Sequence, residues 1–257
     1  MLDSVARRLS KPHYAFRPRQ LLRRGSHSSP VELPWRLSLT YEAGGFLGDA
    51  GANVGYMTSI MAARVGARGR VHAFEPHPRT FQQLEQNVRW NAPVVLHNVA
   101  LADESGELPL FTVADDDANQ SRASVEPLED SGESVLVRAA RLDDEIAGSA
   151  RTMKLDVEGA ELAALRGAEH TFAGLVHIVY EDHEAQPSAL TCFLHEAGFV
   201  SFVLEEHFLG PRLHHDVTTK RMYGWDPPSL IATRSPRQLL ARLAPRGWQC
   251  LTRKPAR

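Results

Sequence analysis

From Gly45 onward the chain alternates short apolar runs with stretches of helical periodicity. Phe46 to Ala50 predicts a first strand and Tyr56 to Val65 the helix that follows it. Arg70 to Phe74 predicts a second strand, with a helix from Pro78 to Trp90 behind it. Val94 to Val99 predicts a third and Thr152 to Asp156 a fourth, the latter leading into a helix from Ala160 to Arg166. Val176 to Glu181 is a fifth, followed by a helix from Pro187 to Ala197. Val200 to Glu205 and Leu230 to Thr233 complete a set of seven, read as an antiparallel pair at one edge. Strands alternating with helices in this way predict an α/β fold, a doubly wound and mostly parallel seven-stranded sheet.

Two stretches break the rhythm. Between Asp103 and Ser134 lie ten acids against one base, Arg122. Such an insertion, at about 103–134, reads as a solvated excursion between strands. Its triplet Asp115-Asp116-Asp117 lacks the spaced oxygen ligands of a calcium loop, so no metal is expected there. The first 36 residues hold eight basic residues against Asp3 and Glu32. Without an apolar core they do not read as a secretory signal. Residues 1–44 are therefore expected to be a basic lead-in or partial cap, and 45–257 the main domain.

Composition narrows the classes. At 257 residues and 43% hydrophobic, the chain suits one large α/β domain. A formal charge of -2 implies neither a nucleic-acid nor a membrane partner. No apolar run reaches the roughly 18 residues of a membrane span. Cys192 and Cys250 make no disulfide framework or metal-type pair, so a reducing, cytoplasmic setting is expected. His214-His215-Asp216 is a short cluster without a distant partner and predicts a loop.

The chemistry concentrates at strand ends. After the first strand comes Asp49-Ala50-Gly51-Ala52-Asn53-Val54-Gly55. Gly51 and Gly55 permit a sharp turn and a close ligand approach, and the helix behind them points its N-terminus at the same spot. Asp49 adds an acceptor. Glu75, ending the second strand, is placed to accept hydrogen bonds from the two hydroxyls of an adenosine ribose. A dinucleotide fingerprint wants a glycine where this chain has Asn53, and Asp49 would repel a pyrophosphate. A cationic methionine moiety suits these acids better, which favours S-adenosylmethionine over a nicotinamide dinucleotide.

The fourth strand carries Met153-Lys154-Leu155-Asp156-Val157-Glu158-Gly159-Ala160-Glu161-Leu162. Asp156 and Glu158 leave it at the carboxyl edge of the sheet, beside the ligand crevice. A carboxylate there can orient a hydroxyl and take its proton. Lys154 either serves the site or pairs structurally with Asp156, and Glu161 either serves it or caps the helix. His183, following the fifth strand, is a second candidate base, since histidine titrates near neutral pH.

These blocks, with Ala73-Phe74-Glu75-Pro76 and Asn98-Val99-Ala100-Leu101, resemble the signature blocks of FkbM-type methyltransferases. The resemblance runs from Gly45 to the C-terminus, and the Lys-x-Asp-x-Glu-Gly-x-Glu block is its most specific part. It implies a class I methyltransferase, Rossmann-like fold and S-adenosylmethionine as cofactor. It adds Asn98 and Ala100 to the cofactor-binding set of Asp49, Gly51, Asn53, Gly55 and Glu75. It also implies O-methylation of a hydroxyl on a small-molecule acceptor, a metabolite or sugar. The resemblance extends weakly to Leu33-Pro34-Trp35, and between that stretch and the first strand such proteins usually carry a longer segment than the ten residues from Arg36 to Gly45. Two other readings stand beside this one: an NAD(P)-dependent oxidoreductase, and a non-catalytic S-adenosylmethionine-binding protein of the same fold.

Overall fold

The computed structural model describes residues 45–89, 93–113, 123–125, 131–148, 150–182, 184, 187–205, 212–215, 229–244 and 249–251. Its strands, in chain order, are β1 (Phe46–Ala50), β2 (Arg70–Phe74), β3 (Val94–His97), β4 (Ala100–Leu101), β5 (Gly106–Val113), β6 (Ala123–Ser124) and β7 (Ser131–Ala140). There follow β8 (Thr152–Leu155), β9 (His177–Glu181), β10 (Val200–Glu205), β11 (Arg212–His214), β12 (Ser229–Thr233) and β13 (Gln249–Leu251). The helices are α1 (Tyr56–Val65), α2 (Pro78–Val88), α3 (Leu142–Glu145), α4 (Glu161–Arg166), α5 (Glu169–Gly174), α6 (Ala189–Glu196) and α7 (Pro236–Leu243).

Nine strands form the main sheet, in the order β13-β11-β10-β12-β9-β8-β1-β2-β3. From β9 to β3 neighbouring strands are parallel, whereas β12 and β10 run antiparallel to their neighbours. The expected α/β class holds, but the sheet is larger than seven strands. The antiparallel pair is also interior, because β11 and β13 pair beyond β10. Each of those two is three residues long, too short to carry a readable alternation. His214 consequently lies in a strand, where the sequence predicts a loop.

Side chains alternate between the two faces of a strand, and β1 shows the result. Leu47 joins Val71, Val179 and Ile231 beneath Met57, Ile60 and Met61 of α1 and Leu239 and Leu243 of α7. Ala50 joins Phe74, Met153, Leu155 and Tyr180 beneath Leu165 of α4 and Leu194 of α6. Removing that apolar surface from water on both faces is the main force holding the layers together. Among the described residues no helix is long and apolar enough to cross a membrane.

The acidic stretch is more ordered than its charge suggests. Strands β4, β7, β5 and β6 make a second sheet. Leu108 and Leu110 of β5 lie opposite Val137 and Val135 of β7, and Ala100 packs into the same cluster. Glu107 and Arg138 stay exposed, as does Leu136 at 63%. The reading as a solvated excursion therefore fails for Gly106 to Val113 and for the start of β7. Asp115-Asp116-Asp117 and the basic lead-in of 1–44 lie outside the described residues.

One cation seams three elements. Arg234, directly after β12, donates from Nη1 to the carbonyls of Phe172, Ala173 and Leu175 at 3.0 Å each. Its Nε donates to Ala197 O, and its guanidinium lies 4.3 Å from the Phe199 ring centroid. It thereby adds a donor to the carbonyls where α5 ends, of which Phe172 O also accepts from the cap N–H of Leu175. We expect Arg234→Met to keep the packing of the stem yet lose about 2–3 kcal/mol of stability. Chemical denaturation checks this, and a change below about 0.5 kcal/mol would show the seam to be dispensable.

Candidate functional site

The carboxyl ends of β2, β1 and β8 lie side by side, since Asp49 pairs in register with Ala73 on one side and Lys154 on the other. The turn leaving β1 is left-handed at Gly51 (φ 72°), Asn53 (φ 49°) and Gly55 (φ 90°). Glycine and asparagine tolerate this conformation best. The turn is pinned to β2 by Gly51 N–H and Ala52 N–H, both donating to Phe74 O. A Cβ on Gly51 would lie 1.7 Å from the Asp156 carbonyl oxygen. One on Gly55 would meet Leu84 and Val88 of α2 at 2.7 Å. Both glycines are thus demanded by the protein's own close packing. Of the two reasons expected for them, the sharp turn is what this geometry supplies.

Lys154 organises the floor. Its Nζ donates to Gly51 O at 2.8 Å and Ala50 O at 3.3 Å, and pairs with Asp156 Oδ2 at 3.1 Å and Asp49 Oδ1 at 3.6 Å. Burial opposes its charge, but the Asp156 and Asp49 carboxylates raise its pKa above the ordinary lysine value. Asp49 is wholly buried and accepts from Thr58 Oγ1 of α1 at 2.6 Å. Burial raises its pKa, against the opposing effects of Lys154 and Thr58. The sequence reading places Asp49 at the ligand; here it is sealed beneath the turn. Thr58 is absent from that reading, although a hydroxyl on the buried face of an apolar helix is the signal that points to it.

Glu75 is the acid beside the turn itself. Its Oε2 accepts from Asn53 N–H and its Oε1 from His77 N–H, each at 3.0 Å. Burial pushes its pKa up to about 7, although both hydrogen bonds act to lower it. Asn98 braces the same exit, its Nδ2 donating to Glu75 O at 2.8 Å and Pro76 O at 3.0 Å. The side chain of Ala100 packs with Leu110 and Val137 in the small sheet's cluster, which leaves its backbone as the part that could meet a ligand.

Behind Glu75 runs a chain of polar contacts invisible in the sequence pattern. Glu145 Oε2 lies 3.0 Å from His97 Nδ1, and His97 Nε2 lies 2.9 Å from His72 Nδ1. Arg138 of β7 donates to the other Glu145 oxygen. His97 stacks on Phe74, the residue before Glu75, with centroids 4.5 Å apart. Burial pulls the His72 pKa down to about 4, which keeps that ring neutral. The small sheet is thereby keyed to the strand ends that carry Glu75.

The fourth-strand block divides into two roles. Asp156 is 32% exposed, so one side meets Lys154 while the other opens outward. Glu158 adopts φ 50°, unusual for a residue with a long side chain, and Gly159 follows at φ 99°. Glu161 Oε1 accepts from Val157 N–H and Oε2 from Gly159 N–H, both at 3.1 Å. It clasps the turn ahead of α4 and does not cap the helix, which has no side-chain cap at its N-terminus. His183 lies outside the described residues. Among the described residues no group of three His, Cys, Asp or Glu could hold a metal ion.

Two outcomes follow from this packing. Gly51→Ala forces a methyl group into the Asp156 carbonyl at a positive φ, and should destabilise the fold by at least about 3 kcal/mol, measured by denaturation. Wild-type stability in that variant would mean that the two strand ends are not held at this distance. Glu75 gives the second. Its folded pKa is raised to about 7 from 4.5, so its stabilising effect is complete below pH 4.5. That effect is lost as pH rises to about 7, because the unfolded chain ionises first. The loss is on the order of 3–4 kcal/mol. Glu75→Gln should be less stable throughout but show a flatter stability profile between pH 4.5 and 7; an unchanged slope would assign the titration elsewhere.

The Methyltransferase FkbM domain matches residues 49–201, more than half of the chain. Methyltransferase 1 of Beauveria bassiana is 28% identical over 193 residues, spanning 65% of this chain and 77% of that protein. The crystal structure of Methyltransferase FkbM from Methylobacillus flagellatus superposes with a TM-score of 0.52 at 16% identity. That superposition covers 77% of this chain and 46% of the other, so the present chain spans less than half the length of that relative. At such identity the likeness speaks to fold alone. With the domain match extending from Asp49 at the end of β1 to Ser201 in β10, this chain belongs to the FkbM methyltransferase family.

Proposed function

We propose that this protein is an S-adenosylmethionine-dependent methyltransferase acting on a hydroxyl of a small metabolite or sugar. The observation that carries the reading is the pair of acids flanking the glycine turn. Glu75 touches the turn at Asn53 N–H, and Asp156 touches it through Lys154 and Gly51 O. Each Glu75 oxygen accepts one backbone N–H and keeps a lone pair for a ribose hydroxyl. That acceptor set fits an adenosyl ligand. Asn53 stands where a pyrophosphate site wants glycine, which argues against a nicotinamide dinucleotide.

When bound, S-adenosylmethionine supplies an electrophilic methyl group on a cationic sulfur. This chain's residues do the remaining work. Glu75 holds the ribose end, with Asn98 bracing the strand exit behind it. Asp156, partly exposed at the crevice, orients the acceptor hydroxyl and takes its proton, a step typically worth 10²–10⁴-fold. Glu158, which follows β8, and His183, which follows β9 in the sequence, are further candidates for the same role. We read the protein as cytoplasmic, with neither nucleic acid nor membrane as partner.

Calorimetry with S-adenosylmethionine, S-adenosylhomocysteine and NAD tests the cofactor. The first two should bind and NAD should not; the reverse would make the protein an oxidoreductase candidate. Methyl transfer to a panel of hydroxylated small molecules, followed with labelled S-adenosylmethionine, tests the reaction. Asp156→Asn should lower turnover at least about a hundredfold while changing cofactor affinity far less. Turnover near wild type would remove Asp156 as the base. Affinity for S-adenosylhomocysteine without transfer to any acceptor would favour a binding protein.

A further inference from the structure

The four oxygens around the Lys154 ammonium all belong to the carboxyl ends of two neighbouring strands. They are Ala50 O and Gly51 O, the Asp49 carboxylate and the Asp156 carboxylate. Glu181, ending β9, adds a further negative charge within its electrostatic reach. The sheet does not need a cation here. Backbone ladders already join β1 to β8 and β8 to β9. An apolar side chain at 154 would avoid the desolvation that a buried ammonium entails. Asp49 is a second buried charge of the same kind. The arrangement is therefore explained by what it holds in place. Of its two carboxylate partners Asp156 is the one that reaches the surface, 32% exposed, whereas Asp49 is sealed. Lysine suits the task because three donors on one small head reach oxygens in three directions.

We infer that Lys154 is a positioning residue: it fixes the Asp156 carboxylate against the glycine turn, so that this negative charge favours a cationic sulfonium over a neutral thioether. The inference rests on the cofactor reading above and deepens it. Lys154 acts through the carboxylate it orients. It is not itself a group that touches the reacting atoms. Without it, Asp156 is free to swing toward water, and the preference for the charged cofactor over its demethylated product declines. That preference matters to turnover, because the product differs from the cofactor by one methyl group and one positive charge.

Calorimetric affinities for S-adenosylmethionine and S-adenosylhomocysteine supply the test, taken as a ratio so that general damage to the pocket cancels. Asp156→Asn and Lys154→Met should each lower the ratio about fivefold. The double variant should fall no further than either one, since both changes remove the same oriented charge. Lys154→Met leaves Asp49 buried and uncompensated, so the same measurement is made with Asp49→Asn added, and thermal melts establish folding. Equal weakening of both ligands, or fivefold losses that multiply in the double variant, would overturn the inference. So would failure of both Lys154 variants to fold, which would make the residue part of the framework alone. Wild-type protein that binds neither ligand would overturn the cofactor reading and this inference together. If it binds both and the ratio does not move on substitution, only this inference falls.

Discussion

The site depends on how closely two strand ends approach each other. The turn after β1 and the exit of β8 lie so near that a single methyl group on Gly51 would overlap the Asp156 carbonyl. That proximity is what allows one buried ammonium to reach oxygens on both, and what brings a carboxylate from the far side of the turn alongside it. The rest of the sheet maintains this distance. Helix α2 packs Leu84 and Val88 where a Cβ at Gly55 would stand, and pushes the turn from the other side. The glycines are thus constraints of assembly first.

The main sheet was largely legible in the sequence. β1, α1 and β2 have the bounds that the apolar runs predict, because each is flanked by glycine, proline or a charge that ends it. β10 likewise has its expected bounds, and the other predicted elements differ by one or two residues at their ends, where helices fray and propensity is weakest. The second sheet was hidden by composition. Ten acids drew the eye to charge, while the alternation of Leu108 and Leu110 against Val135 and Val137 was short and interrupted by Pro109. Strands β11 and β13 could not be read from three residues apiece.

The site was legible by residue type and less so by role. A carboxylate at the end of β2 and another after β8 follow from the order of elements. Which of them touches what depends on burial, which a pattern does not reveal. Asp49 and Asp156 both neighbour Lys154, yet the first is sealed and the second half-open. Glu161 lies three residues beyond Glu158 and is bound up with backbone N–H groups. The histidine pair behind Glu75 joins residues 25 apart and a glutamate 48 further on, distances over which sequence alone has no voice.

Glu158 has a consequence of a different sort. A glutamate at φ 50° carries backbone strain of about 1 kcal/mol or more that glycine would relieve at once. Its neighbour, Gly159, is already of the relieving type. Backbone ease and the presence of a carboxylate therefore oppose each other at position 158: a glycine there would relax the turn and at the same time take away a negative charge beside the exit of β8.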